Sequence, residues 1–274
     1  MRFTKPKKWA AIRCVLQHIH NVEKTLNVRY KNIKLIIEYD GTNYCGWQRQ
    51  KNGSSIQGTI ESAISKMTGQ QISLIGSGRT DAGVHAWQQV ANFKCHTRLD
   101  ATQFMKGLNG LLPNDIAIHS CMEVSSNFHS RYDVKSKMYR YYIGQRPQKM
   151  ALFNQYCWYI PYKLNISDMK NACTLFEGTH DFKSFEGAGS PRSTSVRTIL
   201  RSNITLNDNQ YIIYEIEADG FLRFMVRNIV GTLVEIGKKR MSFDTIPQIL
   251  ESRDRHFAGP TAPPHGLFLI EVKY

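Results

Sequence analysis

The chain has 274 residues, 42% of them hydrophobic and 21% charged, enough apolar material for one large or two ordinary domains and too much for a disordered chain. No uninterrupted apolar run approaches the roughly 18–20 residues that span a bilayer. The 36 Lys and Arg against 22 Asp and Glu leave +14, which points to a polyanionic partner, nucleic acid first and an anionic membrane surface second.

Residues 1–31 hold eight basic groups and one acid, Glu23, so they carry +7, half of the total. The best apolar core for a secretory signal, Trp9 to Leu16, is broken by Arg13, and the segment has no serine, as a transit peptide would. It is expected to be a basic extension outside the fold, either helping to hold RNA or simply solvated, on a cytosolic protein.

A regular pattern begins at Asn32. Ile33, Leu35, Ile37 and Tyr39 alternate with Lys34, Ile36 and Glu38, which predicts a strand. Asp40-Gly41 is a turn signal. Ser54 or Ser55 caps a predicted helix with Ile56, Ile60, Ala63, Ile64 and Met67 on one face, ended by Gly69. A strand over 72–75 leads into the glycine-bearing segment 76–86, and another runs over 88–95. Asp100 caps a helix carrying Phe104 and Leu108, closed by Gly110 and Pro113. Ile116 and Ile118 begin the next strand.

The second half repeats this order of elements. A strand over 137–144 precedes a helix from Ser167 with Met169, Ala172, Cys173 and Phe176 on its apolar face. Strands over 195–206 and 210–218 flank an Asn-Asp-Asn turn. A helix over 224–237, a short one over 243–252 and a strand over 267–272 complete the pattern. Hairpins mixed with helices, and no low-complexity linker, predict an α+β protein whose halves share one sheet covered on one side. The expected divisions are residues 32–134 and 135–274.

The six cysteines, at 14, 45, 95, 121, 157 and 173, contain no Cys-x-x-Cys pair. They read as reduced thiols, mostly buried, with no structural zinc. His18 with His20, and Cys95 with His96, do not make ligand sets.

The segment Gly76-Ser77-Gly78-Arg79-Thr80-Asp81-Ala82-Gly83-Val84-His85-Ala86 holds the candidate chemistry. Its three glycines permit a sharp turn and close backbone approach. It is neither a Walker loop nor a dinucleotide fingerprint. Arg79, two residues from Asp81, could hold the carboxylate ionised for work as a nucleophile or base. The plain alternative is a turn aspartate bonded to its own backbone beside a solvated arginine.

The stretch 78–86, Gly-Arg-Thr-Asp-Ala-Gly-Val-His-Ala, resembles the signature of the tRNA pseudouridine synthase A family. Four further stretches resemble that family's motifs in order: Tyr39-Asp40-Gly41-Thr42 with Gly46-Trp47-Gln48; Phe128-His129-Ser130-Arg131 with Tyr139-Arg140-Tyr141; Phe224 to Gly231; and Ala262-Pro263-Pro264-His265-Gly266-Leu267. The resemblance runs from about residue 32 to 274. It departs modestly at Cys45 and at Lys137-Met138.

The resemblance implies a pseudouridine synthase fold, in which two similar RRM- or ferredoxin-like halves share a mixed, mainly antiparallel sheet around a central cleft. It implies isomerisation of uridine to pseudouridine at positions 38, 39 and 40 of the tRNA anticodon stem-loop, by a homodimer, with no cofactor or metal. Asp81 would be the catalytic carboxylate, attacking ribose C1′ or assisting loss of the base. Arg79 would help displace the base from its stack, and Tyr139 would stack on the uracil. Arg227, at the margin of the stripe formed by Val226, Ile229, Val230 and Leu233, would pair with Asp81 and lower its pKa. Val84 and Leu269 are candidate pocket residues, with ordinary core packing as the alternative. His129 and Arg131 are the stronger candidates for RNA contact. Arg140, Lys135, Lys137, Arg192, Arg197 and Arg201 supply further positive charge. The alternatives are an RNA-binding protein that remodels tRNA without modifying it, and a nucleosidase that releases uracil.

Overall fold

The computed structural model describes residues 28–189, 193–207 and 211–274. Most of the basic extension, Cys14, Arg192 and the centre of the Asn-Asp-Asn turn lie outside them. Among the described residues ten strands join in one sheet: β1 (Arg29–Tyr39), β2 (Ile75–Gly76), β3 (His85–Thr97), β4 (Ile116–Val124), β5 (Ser136–Gln145), β6 (Trp158–Ile160), β7 (Gly178–Asp181), β8 (Val196–Leu206), β9 (Tyr211–Ala218) and β10 (Leu267–Lys273). Their order is β4-β1-β3-β10-β5-β9-β8-β7, with β2 on β3 and β6 on β5. The β10–β3 and β5–β6 pairs are parallel and the rest antiparallel. This is the expected mixed, mainly antiparallel α+β sheet.

Strand β10 joins the halves. It runs parallel to β3 through Phe268↔His85 and Leu269↔Ala86, and antiparallel to β5 through Leu269↔Tyr139. One register row therefore crosses the centre of the sheet as Tyr39, Ala86, Leu269, Tyr139 and Ile216. All five are buried. The same alternation buries Ile33, Leu35 and Ile37 along β1, because successive strand residues point to opposite faces.

The helices are α1 (Ile56–Thr68), α2 (Ala101–Leu111), α3 (Ile166–Thr174), α4 (Met225–Gly237) and α5 (Ile246–Ser252). Ser55 caps α1 by accepting from the Gly58 N–H, and Gly69 ends it in the left-handed region. Asp100 and Gln103 form a reciprocal capping box at α2. Helix α3 begins at Ile166, before the expected Ser167, because Asn165 Oδ1 accepts from the Asp168 N–H. Gly110 lies inside α2 and does not close it. Phe224, at φ 61°, precedes the first turn of α4.

Two strand boundaries also differ from expectation. Strand β1 begins at Arg29, inside the segment assigned to the extension, because its backbone pairs with Thr97, His96 and Cys95 while its side chains stay wet. The stretch from Ile72 is not paired until Ile75. There Glu61 and Gln57, on α1, take the Leu74 N–H and carbonyl in place of a neighbouring strand. Cys95, Cys157 and Cys173 are buried, Cys45 and Cys121 partly so, and all five are free thiols. No helix among the described residues is long and apolar enough to cross a membrane.

Candidate active site

Asp81 sits in the turn between β2 and β3, near enough to Tyr139 of the central register row for its charge to act on that hydroxyl. The turn is closed by the Val84 N–H donating to the Asp81 carbonyl at 3.2 Å. Its outer side is held from β1, where the Tyr39 hydroxyl lies 2.7 Å from Thr80 Oγ1. A second strap comes from the loop after β1, where the Trp47 N–H donates to the Thr80 carbonyl at 3.1 Å. That strap needs Gly46. Its φ is +99°, and a Cβ there would lie 2.6 Å from the Thr80 carbonyl oxygen. The turn is thus fastened to the first half at several points and leaves the Asp81 side chain facing the second.

Across the cleft, α4 supplies the partner. Arg227 Nη1 donates to Asp81 Oδ2 at 3.2 Å. Its Nε donates to the Ala262 carbonyl at 2.7 Å, and the Ala262 N–H returns to the Arg227 carbonyl at 3.0 Å. The guanidinium also lies 5.0 Å from the Phe224 ring centre. Three contacts therefore fix Arg227 independently of Asp81. Gly231, one turn along α4, lets the 260–262 segment lie against the helix. A Cβ there would be 1.6 Å from the Pro260 carbonyl oxygen.

The pair does not hold Asp81 below the ordinary carboxylate range, as the sequence suggested. Burial raises its pKa, and this outweighs the opposing pull of Arg227 and Arg223. The arginines only limit the rise. Nor does Arg79 pair with Asp81. It is exposed, and its Nε donates to Gln48 Oε1 at 3.0 Å. The second cation acting on Asp81 is Arg223, whose Nη1 is anchored on the Ala188 carbonyl at 2.8 Å. Arg223 precedes α4, ahead of the left-handed Phe224, so no helical spacing pairs it with Arg227 and nothing in the sequence signals it.

Tyr139 is buried on the same row, edge-on to Phe221 at 5.1 Å. Burial, together with the neighbouring Tyr39 hydroxyl and the Asp81 carboxylate, raises its hydroxyl well above the ordinary phenol range. The hydroxyl makes no hydrogen bond among the described residues. Val84 and Leu269 are buried core residues beneath the turn.

The remaining basic candidates separate by face. His129 and Arg131 lie in a turn beside the site. Ser130 anchors it, its N–H donating to Asn92 Oδ1 at 2.9 Å and its hydroxyl bonded to the Ile75 carbonyl. His129 Nδ1 accepts from the Arg131 and Tyr132 N–H groups, and Arg131 is exposed. Arg140 alternates with Tyr139 and so belongs to the opposite face, where it pairs with Glu215 at 2.6 Å. Arg201 shares that Glu215 at 3.5 Å, and Arg197 donates to the Thr194 and Val196 carbonyls. Among the described residues no group of three or more His, Cys, Asp or Glu is placed to hold a metal ion.

The sequence model of the tRNA pseudouridine synthase family matches this chain in two segments, residues 35–133 and 172–274. The tRNA pseudouridine synthase A of Thermoanaerobacter sp. (strain X514) is 46% identical over 244 residues, covering 89% of this chain and all of its own length. That of Acetivibrio thermocellus is 49% identical over the same span and coverage.

Proposed function

The chain belongs to the tRNA pseudouridine synthase family and is an isomerase that converts uridine to pseudouridine in tRNA, and from that premise we propose that it acts on positions 38, 39 and 40 of the anticodon stem-loop with Asp81 as its catalytic carboxylate. The observation that carries the reading is the Asp81–Arg227 contact, which joins the two halves beside Tyr139.

The reaction breaks the bond from ribose C1′ to base N1 and makes one from C1′ to C5. N1 gains a proton in the product and C5 loses one, so nothing is oxidised or reduced. A carboxylate whose ionised form is penalised by burial is a stronger base and nucleophile than one in water. Arg227 keeps it ionised and aimed. The target base must leave its stack to reach a buried carboxylate, at a cost of a few kcal/mol. Arg79, exposed and attached among the described residues only through Gln48, is free to fill the space the base leaves. The apolar wall for the detached uracil is Tyr139, whose hydroxyl, unpaired among the described residues and kept protonated by burial, can take the C5 proton while passing its own on, with N1 as the final acceptor.

The net charge and the exposed Arg131 favour phosphate contacts, with His129 beside them. Arg140, committed to Glu215 on the other face, drops out of this set. The enzyme is read as a cytoplasmic homodimer whose two copies contact each tRNA. Chemical labelling of pseudouridine in unmodified tRNA, treated with wild type or Asp81→Asn, tests the assignment. Label at positions 38–40 with wild type only supports it. Label elsewhere overturns the positions. Free uracil would indicate a nucleosidase, and binding without product a remodelling protein.

A further inference from the structure

Lys137 differs from the paired cations around it on β5, β8 and β10. Arg140 and Arg201 share Glu215, and Lys273 is paired with Glu217. Lys137 is partly buried and has no carboxylate partner among the described residues. Its sheet neighbours are Val272 on β10 and Ala218 on β9, neither ionisable. Its Nζ donates to the Ser77 carbonyl at 2.6 Å, at the start of the turn that carries Asp81. The charge that acts on it most is another cation, Arg131, from the 128–133 turn.

A partly buried ammonium with no acid paired to it, on which a second cation acts, destabilises the free protein. The arrangement is favourable only when an anion joins them. The backbone leaves room for the ammonium: a Cβ on Gly78 would lie 2.6 Å from Lys137 Nζ. Lys137 is two residues from Tyr139 and so belongs to the same face of β5, beside the entry to the site.

We propose that Lys137 and Arg131 form a binding site for one backbone phosphate of the RNA strand at the everted nucleotide. The inference rests on the uridine-flipping reading above. A phosphate reaches this partly buried ammonium only when the strand is drawn toward the Ser77–Asp81 turn, so the contact rewards the flipped state. The same ammonium holds the turn through Ser77, and seating the phosphate thereby steadies Asp81.

The test measures affinity for unmodified tRNA against KCl concentration for wild type, Lys137→Met and Lys137→Arg, with pseudouridine formation followed in parallel. Each phosphate contact contributes about 0.7–1 to the slope of log K on log salt. Lys137→Met is expected to lose that increment and to bind roughly tenfold more weakly at moderate salt. Lys137→Arg keeps the wild-type slope. Burial and Arg131 lower the Lys137 pKa to about 8, so wild type loses the same increment between pH 7 and pH 9, whereas the slope of Lys137→Met is indifferent to pH. If Lys137→Met folds poorly, Lys137→Arg is the control, since arginine stays charged and its slope is expected to hold from pH 7 to pH 9. An unchanged slope in Lys137→Met, even with a reduced rate, means a tether to Ser77 only and overturns the proposal. Failure of the wild type itself to form pseudouridine overturns the activity reading and leaves the slope comparison to judge the phosphate site alone.

Discussion

Arg227 donates to Asp81 at 3.2 Å from one nitrogen while another is already committed, at 2.7 Å, to the Ala262 carbonyl. The guanidinium is thus placed by its own half of the molecule before it meets the carboxylate of the other. Its position does not depend on the ion pair it makes.

Asp81→Asn preserves the size of the side chain and removes its charge. It is expected to lower single-turnover pseudouridine formation on the order of 10⁴-fold or more. Affinity for tRNA should stay within about threefold, because phosphate contacts dominate binding. Product assays beside filter binding check both, and substantial residual turnover would remove Asp81 from the chemistry.

Burial raises the Asp81 pKa and Arg227 restrains the rise. The acidic limb of kcat/KM is therefore expected above the ordinary carboxylate range. Arg227→Gln should move it higher still as well as lowering the plateau. A limb unmoved by that change would show that another group sets it.

The same shift bears on stability. A group whose folded pKa lies above its unfolded value contributes stability fully below the unfolded pKa and loses it as pH rises through the folded one. The Tm of wild type relative to Asp81→Asn should therefore fall as pH rises from about 4 to 7. Calorimetry of the two proteins across that range decides the sign.

Gly231→Ala sets two effects against each other. Alanine gains about 1 kcal/mol over glycine inside a helix. Here, however, its Cβ would lie 1.6 Å from the Pro260 carbonyl oxygen, and overpacking costs about 1–3 kcal/mol. The clash is with backbone, so the net change should be destabilising, seen as a lower urea midpoint. Because the 260–262 segment anchors Arg227, kcat should fall as well.

Arg79→Ala removes an exposed side chain bonded, among the described residues, only to Gln48. Tm is expected to change by less than its experimental error, since such surface substitutions lie within about ±0.5 kcal/mol. Turnover of folded tRNA should drop markedly, whereas an unstructured oligonucleotide, with no stack to open, should be affected less. Equal loss on both substrates would count against a role in flipping.

The local signals in the chain were the legible ones. Ser55, Gly69 and Asp100 mark helix ends through their own side chains and backbone, and the structure places the caps there. The alternation of Ile33 to Tyr39 carries the face of β1 in the same way. Strands β6 and β7, of three and four residues, were not visible, because so short a segment has no period to read. Likewise invisible was the replacement of a strand partner by Glu61 and Gln57, which depends on a distant helix side chain.

At the site, motif resemblance brought Asp81, Tyr139 and Arg227 forward, and all three meet at the cleft. Proximity in sequence misled for Arg79, two residues from Asp81 yet turned toward Gln48. Arg140, next to Tyr139 in sequence, lies on the other face with Glu215. The direction of the Asp81 shift was illegible because desolvation belongs to the fold as a whole. Neither the Arg223 contribution nor the isolation of Lys137 can be inferred without knowing which acids are elsewhere engaged.

Strand β10 follows every other described element in chain order, yet it lies at the middle of the sheet. A ribosome must therefore deliver all the other elements before Leu269 can slot between Ala86 and Tyr139. Until then the two lobes of the nascent polypeptide have no shared wall and no working cleft. A chain stopped short of Leu267 would be left with β3 and β5 unpaired along the stretches that β10 covers, exposed to other molecules, and quality control would meet an aggregation-prone fragment and not a slow enzyme.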